Sequence, residues 1–164
     1  MSFIHDLLRL LQQNARQSTS DLARQLGVSE ADVKVALANL EENGTIVQYT
    51  VILNEEKEPT FHDKVRGIIE VRVRPEKQSG FEAIAHRICR HSEVVAHYLV
   101  SGRYDFLLVV EGNALKDIAA FVSDKLAPIE NIQSTTTNFI LRKYKENGVM
   151  ISEGPNVIRN AIQP

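Results

Sequence analysis

Between Ile69 and Tyr144 the apolar residues switch repeatedly between two spacings, and the order of those switches restricts the fold more than any other feature of the chain. Ile69, Val71 and Val73 alternate with Glu70, Arg72 and Arg74, the period of two that a strand with one wet face requires. Phe81, Ile84, Ala85 and Ile88 then share one side of a helix predicted over Phe81 to Arg90. Val94 to Val100 reads as a second strand, Ser101-Gly102-Arg103 as a tight connection, and Tyr104 to Val110 as a third strand, so these two form a hairpin. Gly112-Asn113 opens another helix with the stripe Leu115, Ile118, Ala119, Val122 and Leu126, and Pro128 ends it. Thr135 to Tyr144 reads as the last strand. The order β-α-β-β-α-β is the ferredoxin-like arrangement. Two helices cover only one face of such a sheet. Ile68 and Val109 make the other face partly apolar, which predicts burial against a second copy of the chain.

The first third has a different rhythm. Ile4, Leu7, Leu8 and Leu11 mark one face of a helix over Phe3 to Gln13. Ser20 is the expected cap of a short helix from Asp21 to Leu26, and Gly27 suits the left-handed position that ends it. Ser29-Glu30-Ala31-Asp32 resembles a capping box, and a third helix runs on to about Asn43 with Val33, Ala36, Leu37 and Leu40 inside. Two helices joined by Gly27-Val28 predict a helix-turn-helix. Thr45 to Leu53, rich in β-branched residues, is the expected wing strand.

The fold class is therefore α+β, a winged helix-turn-helix followed by a ferredoxin-like βαββαβ domain. The expected divisions are a first domain over 1–53, a linker over 54–63, an effector and oligomerisation domain over 64–146, and a tail over 147–164 with a short strand at Val149 to Ser152. No apolar run approaches the roughly 18 residues of a membrane span. The stretch Met1 to Leu11 carries Asp6 and Arg9, unlike a secretory leader. One cysteine, Cys89, permits no internal disulfide and reads as a buried or half-buried structural thiol. No membrane partner and a cytoplasmic location are expected. His86, His91 and His97 match no zinc spacing, and no metal, cofactor or catalytic residue is predicted.

Three groups of residues resemble the Lrp/AsnC (feast/famine) family of transcriptional regulators. They are Leu7-Leu8-Arg9-Leu10-Leu11-Gln12-Gln13-Asn14-Ala15-Arg16, Asp21-Leu22-Ala23-Arg24-Gln25-Leu26-Gly27-Val28-Ser29, and Leu40-Glu41-Glu42-Asn43-Gly44-Thr45-Ile46. Gly102-Arg103-Tyr104-Asp105 and Thr135-Thr136-Thr137 add to them in the second half. Each is weak alone, but their order and spacing are specific over roughly residues 3 to 145. The resemblance implies that the third helix enters the major groove of double-stranded DNA. It also implies that the C-terminal domain forms homodimers that stack into octamers, and that a small effector, typically an amino acid, binds between protomers.

Arg16, Arg24, Ser29 and Lys34 are the candidate DNA contacts, although surface cations are more often simply solvated. Residues 1–58 hold five basic and nine acidic side chains, a net of −4. Phosphate contacts dominate affinity, so a single copy should bind DNA weakly and gain from dimerisation. Gly102, Arg103, Tyr104 and Asp105, with Thr135 and Thr137, are the candidate effector site. Backbone N–H groups at Gly102 can hold a carboxylate and Asp105 an ammonium. The residues alone equally admit a plain hairpin with Tyr104 at its edge. Two other functions fit the same layout. One is an enzyme similar to siroheme decarboxylases, recruiting His86, His97, Arg72, Arg74 and Arg103, for which no local motif speaks. The other is a partner that co-assembles with a DNA-binding relative.

Overall fold

A computed structural model describes residues 3–57, 64–75 and 80–151, and the chain parts into two compact units between Ile52 and Leu53. In the first unit the apolar stripes become α1 (Phe3–Gln13), α2 (Thr19–Leu26) and α3 (Glu30–Glu42). Leu7, Leu22, Ala23, Val33, Ala36 and Leu40 form one buried cluster. Here α2 starts earlier than expected. Ser18, not Ser20, is the cap: its Oγ accepts from the Asp21 N–H at 3.1 Å, a bond that Ser20, inside the first turn, has no geometry to make. Gly27 ends α2 at φ 68°. At α3 the capping box forms as expected, with Ser29 Oγ accepting from the Asp32 N–H at 3.1 Å and the Asp32 carboxylate accepting from the Ser29 N–H.

The wing strand expected over Thr45 to Leu53 is absent. Ile46 packs against the helices and the Tyr49 hydroxyl donates to Glu41 of α3 at 2.8 Å, while Val47 is 90% exposed. A strand exists only where a second strand takes up its N–H and C=O groups, and among the described residues no strand lies alongside this segment. Its β-branched residues state a preference that nothing among the described residues satisfies.

In the second unit the elements are β1 (Val65–Val73), α4 (Glu82–Cys89), β2 (Val94–Leu99), β3 (Phe106–Gly112), α5 (Leu115–Ala120) and β4 (Ile132–Phe139). A π-helical stretch, Phe121–Leu126, prolongs α5. The sheet order is β2-β3-β1-β4 with every pairing antiparallel, as a ferredoxin-like βαββαβ chain requires. Ile69, Val71, Val73, Phe106, Leu108 and Val110 face the helices and are buried with Ile84, Ile88, Ile118, Phe121 and Leu126. A Cβ on Gly67 would sit 3.2 Å from Ile118, so the absence of a side chain there lets α5 lie close on β1.

Several boundaries differ from expectation. β1 begins at Val65 and not at Ile69. β3 begins at Phe106 and not at Tyr104, because Asp105 turns aside to bond β1. β4 runs Ile132–Phe139 and not Thr135 to Tyr144, with Ile140 still donating to the Arg66 carbonyl. Lys145–Glu146 and Val149–Met150 then pair as β5 and β6, through Asn147 and Gly148, both at positive φ. The expected strand at Val149 to Ser152 is thus shorter, and Ser152 and the rest of the tail lie outside the described residues. Of the expected linker, Glu55–Lys57 is a short 3-10 turn. The Asn54 side chain donates to the Ile151 carbonyl at 2.8 Å and Glu55 pairs with Lys143 at 3.2 Å, so the start of this segment packs into the second unit. Residues 58–63 lie outside the described residues. Among the described residues no helix is long and apolar enough to cross a membrane.

Candidate nucleic-acid interface and effector loop

The candidate DNA contacts occupy the first unit, and most are already engaged. Arg24 pairs with Asp21 at 2.9 Å and Lys34 with Glu30 at 2.8 Å. Glu30 also accepts from the Thr19 hydroxyl at 2.8 Å, a bond between α2 and α3. The Lys34 and Thr19 hydrogen bonds hold the Glu30 carboxyl below the usual glutamate range. The Ser18 hydroxyl does the same for Asp21, with Arg24 adding to it. The Ser29 hydroxyl is committed to the cap of α3, which makes Ser29 a residue that aims the helix N-terminus. The Arg16 side chain is exposed just before α2, where its backbone N–H donates to Asn14 Oδ1. So Arg16, Arg24, Ser29 and Lys34 all lie in the helix-turn-helix. Of the three candidate cations, Arg24 and Lys34 carry a carboxylate partner that phosphate would have to displace.

In the second unit, Val100 to Asp105 forms the loop between β2 and β3. Its ends are tied by the Val100 N–H donating to the Asp105 carbonyl at 2.9 Å. Asp105 is locked to β1: its N–H donates to the Val71 carbonyl at 3.0 Å, and its carboxylate accepts from the Val73 N–H at 2.9 Å. That bond falls where the β1–β4 register slips between Arg72 and Val73. The carboxylate expected to meet an ammonium is therefore spent on the sheet with at least one oxygen. Arg103 instead carries the loop's charge. Its guanidinium meets Glu70 at 3.1 Å, and its carbonyl accepts from Arg72 Nε at 2.7 Å. Gly102 has φ 145°, a conformation that other residues rarely adopt, and Tyr104 is half-buried.

Register separates the remaining candidates. Thr135 and Thr137 lie opposite Val71 and Ile69, whose side chains are buried under the helices, so both threonines point to the helix side. Ser134 and Thr136 pair with Arg72 and Glu70 and share the open face with them. The hydroxyls beside the Arg103 cluster are these two. Alternation along β4 carried that information only once its partner strand was known. The open face also holds Ile68 opposite Val109, both half-buried, and Tyr98, which is exposed.

Cys89 is exposed, not buried, because it closes the last turn of α4. Its Sγ lies 3.3 Å from His97 Nδ1. Burial lowers the His97 pKa, and its ring meets Phe106 edge-on at 4.6 Å. His97 pairs with Leu108 on the helix side of the sheet, whereas Arg72 is on the other side. The side chains that an enzyme similar to siroheme decarboxylases would recruit are thus divided by the sheet. Among the described residues no group of three metal-ligating side chains assembles.

Residues 66–150 match the family model described as the Lrp/AsnC ligand binding domain, and residues 3–47 match a winged helix-turn-helix DNA-binding model. The chain belongs to the Lrp/AsnC family of transcriptional regulators. An uncharacterized HTH-type transcriptional regulator of Bacillus subtilis, YugG, is 36% identical over 97% of this chain and 95% of its own length. The proline dehydrogenase transcriptional activator of Rhizobium radiobacter is 22% identical over 87% of this chain and 90% of its own. In fold, the L-methionine complex of a Neisseria meningitidis transcriptional regulator superposes with a TM-score of 0.69 at 24% identity, covering 89% of this chain and 92% of that one. This Lrp/AsnC chain therefore carries a helix-turn-helix and a ligand-binding domain, the organisation of a transcriptional regulator.

Proposed function

We propose that this protein is a DNA-binding transcriptional regulator, not an enzyme, whose second unit forms homodimers and binds a small amino-acid-like effector in the cytoplasm. The observation that carries the reading is the pairing of a complete helix-turn-helix with a family ligand-binding domain in one chain. On the DNA side, Arg16, Arg24 and Lys34 contact phosphates and Ser29 positions the α3 N-terminus. On the effector side, Gly102 and Tyr104 line the site and Arg103, with Arg72, takes the carboxylate. Glu70 takes the ammonium once Arg103 turns to the ligand. Opposite charges on the loop and the neighbouring strand β1 suit a zwitterion, and a structural neighbour was solved with L-methionine. The half-apolar open face supports assembly into dimers, and stacking of dimers gives the octamer of the family.

The test is a thermal-shift screen of the amino acids on the full chain, with sedimentation at micromolar concentration. A ligand at a hundredfold its Kd stabilises the folded protein by about 2.7 kcal/mol, a shift of several degrees. No shift with any amino acid removes the effector assignment. A monomer in sedimentation removes the assembly.

A further inference from the structure

The outer stripe of α3 is unlike an ordinary solvent face. Ala31, Lys34, Val35 and Ala38 fall at i, i+3, i+4 and i+7 and all are exposed, Val35 by 61%. The stripe Val33, Ala36, Leu37 and Leu40 is the one that packs into the core. So α3 is apolar on two sides, and its own unit uses one. A β-branched valine is also a poorer helix former than the long polar residues that usually fill exposed positions. Nothing among the described residues of the unit explains it.

Hydrogen-bonding readers are scarce on the same two turns. Lys34 is paired with Glu30, Glu30 is further held by Thr19, and Ser29 and Asp32 satisfy each other in the cap. The N-terminal residues of the second helix in a helix-turn-helix are those that meet base edges. Of the groups a major groove offers, alanine and valine complement one, the C5-methyl of thymine. The occupant this stripe fits is therefore the major groove of duplex DNA.

We infer that α3 reads its operator chiefly through thymine methyl groups, with Val35 packing on a C5-methyl and Ala31 and Ala38 keeping the helix close to the base edges. This rests on the DNA-binding function proposed above. Specificity then comes from shape and apolar contact, while affinity comes from phosphate contacts and assembly.

The experiment uses the full chain and duplexes selected by it from a random-sequence pool at low salt. Each thymidine of the selected site is then replaced by deoxyuridine, which removes the methyl and leaves the base pair. Burying one methylene-sized group contributes enough that its loss weakens binding about fourfold. We expect that loss at one or two positions per half-site. Val35→Ala should bind the thymidine duplex more weakly and lose the thymidine-over-deoxyuridine preference at one of those positions. Alanine favours the helix, so an unchanged circular-dichroism melt verifies the fold. The inference is overturned if no deoxyuridine position weakens binding, or if Val35→Ala keeps the full preference. It is also overturned if Val35→Ala changes the sedimentation mass and leaves DNA affinity untouched, which would make the stripe a protein contact. Sequence-independent binding overturns it alone. No duplex binding at all overturns the DNA-binding proposal with it.

Discussion

Glu30 pairs with Lys34, the one cation of α3, and a phosphate would have to displace it. Its carboxylate holds Lys34 Nζ at 2.8 Å and accepts from Thr19 at 2.8 Å, and both partners hold its carboxyl below the usual glutamate range. Glu30→Gln retains an acceptor for the Thr19 hydroxyl while releasing Lys34. If Lys34 then reaches a phosphate, one more counterion is released on binding, and the salt slope of log K steepens by about 0.9. Between about 50 and about 200 mM salt, a fourfold change, the variant's advantage should shrink by about 3.5-fold. The assay is a fluorescence-anisotropy titration of a selected duplex at four salt concentrations, wild type beside Glu30→Gln. Tighter binding with the steeper slope is the expected result. A parallel slope would show that Lys34 does not contact phosphate, and weaker binding would show that Glu30 itself serves the complex. The same pair has an acid signature. A carboxylate lowered by folding adds stability that is present above its ordinary pKa of 4.5 and lost as pH falls through the lower, folded value. The first unit should therefore lose stability below pH 4.5, less so in Glu30→Gln.

Two further outcomes concern the second unit. Asp105→Ala leaves the Val73 N–H, on a residue 5% exposed, without its acceptor, and should cost about 1–3 kcal/mol in urea unfolding; Asp105→Asn, which keeps an acceptor oxygen, should restore most of it. Full recovery by Asn with no loss of effector binding would confine Asp105 to structure, whereas lost binding in Asp105→Asn would return it to the ligand. His97 has its pKa lowered by burial, so the unfolded chain takes up a proton first as pH falls below 6.5 and stability declines from there; His97→Phe should flatten that limb of a stability-against-pH curve, and an unchanged limb would assign it to another group.

Much of this was legible in the residues because it depends on period alone. The stripe Ile4, Leu7, Leu8, Leu11 placed α1, the alternation around Ile69 to Val73 placed the core face of β1, and Ser29 with Asp32 placed the start of α3. These are local signals, written in propensity and in reach of one helical turn. Thr45 to Leu53 forms no strand despite its composition, because β-propensity states a preference, while a ladder needs a partner. Ser18 caps α2 in place of Ser20 because both side chains can cap and only the turn geometry chooses.

The sites depended on more than period. The amino-acid order determined the two-unit plan, the poverty of basic residues in the first unit and the identity of the loop Gly102 to Asp105. Tertiary structure decided which charges face each other. It turned Asp105 inward to β1, set Arg103 against Glu70, and placed Ser134 and Thr136 rather than Thr135 and Thr137 on the open face. A one-residue step in a strand exchanges its two faces, so which threonine meets a ligand is settled by the pairing register of β1 and β4 and by no local feature of β4 itself.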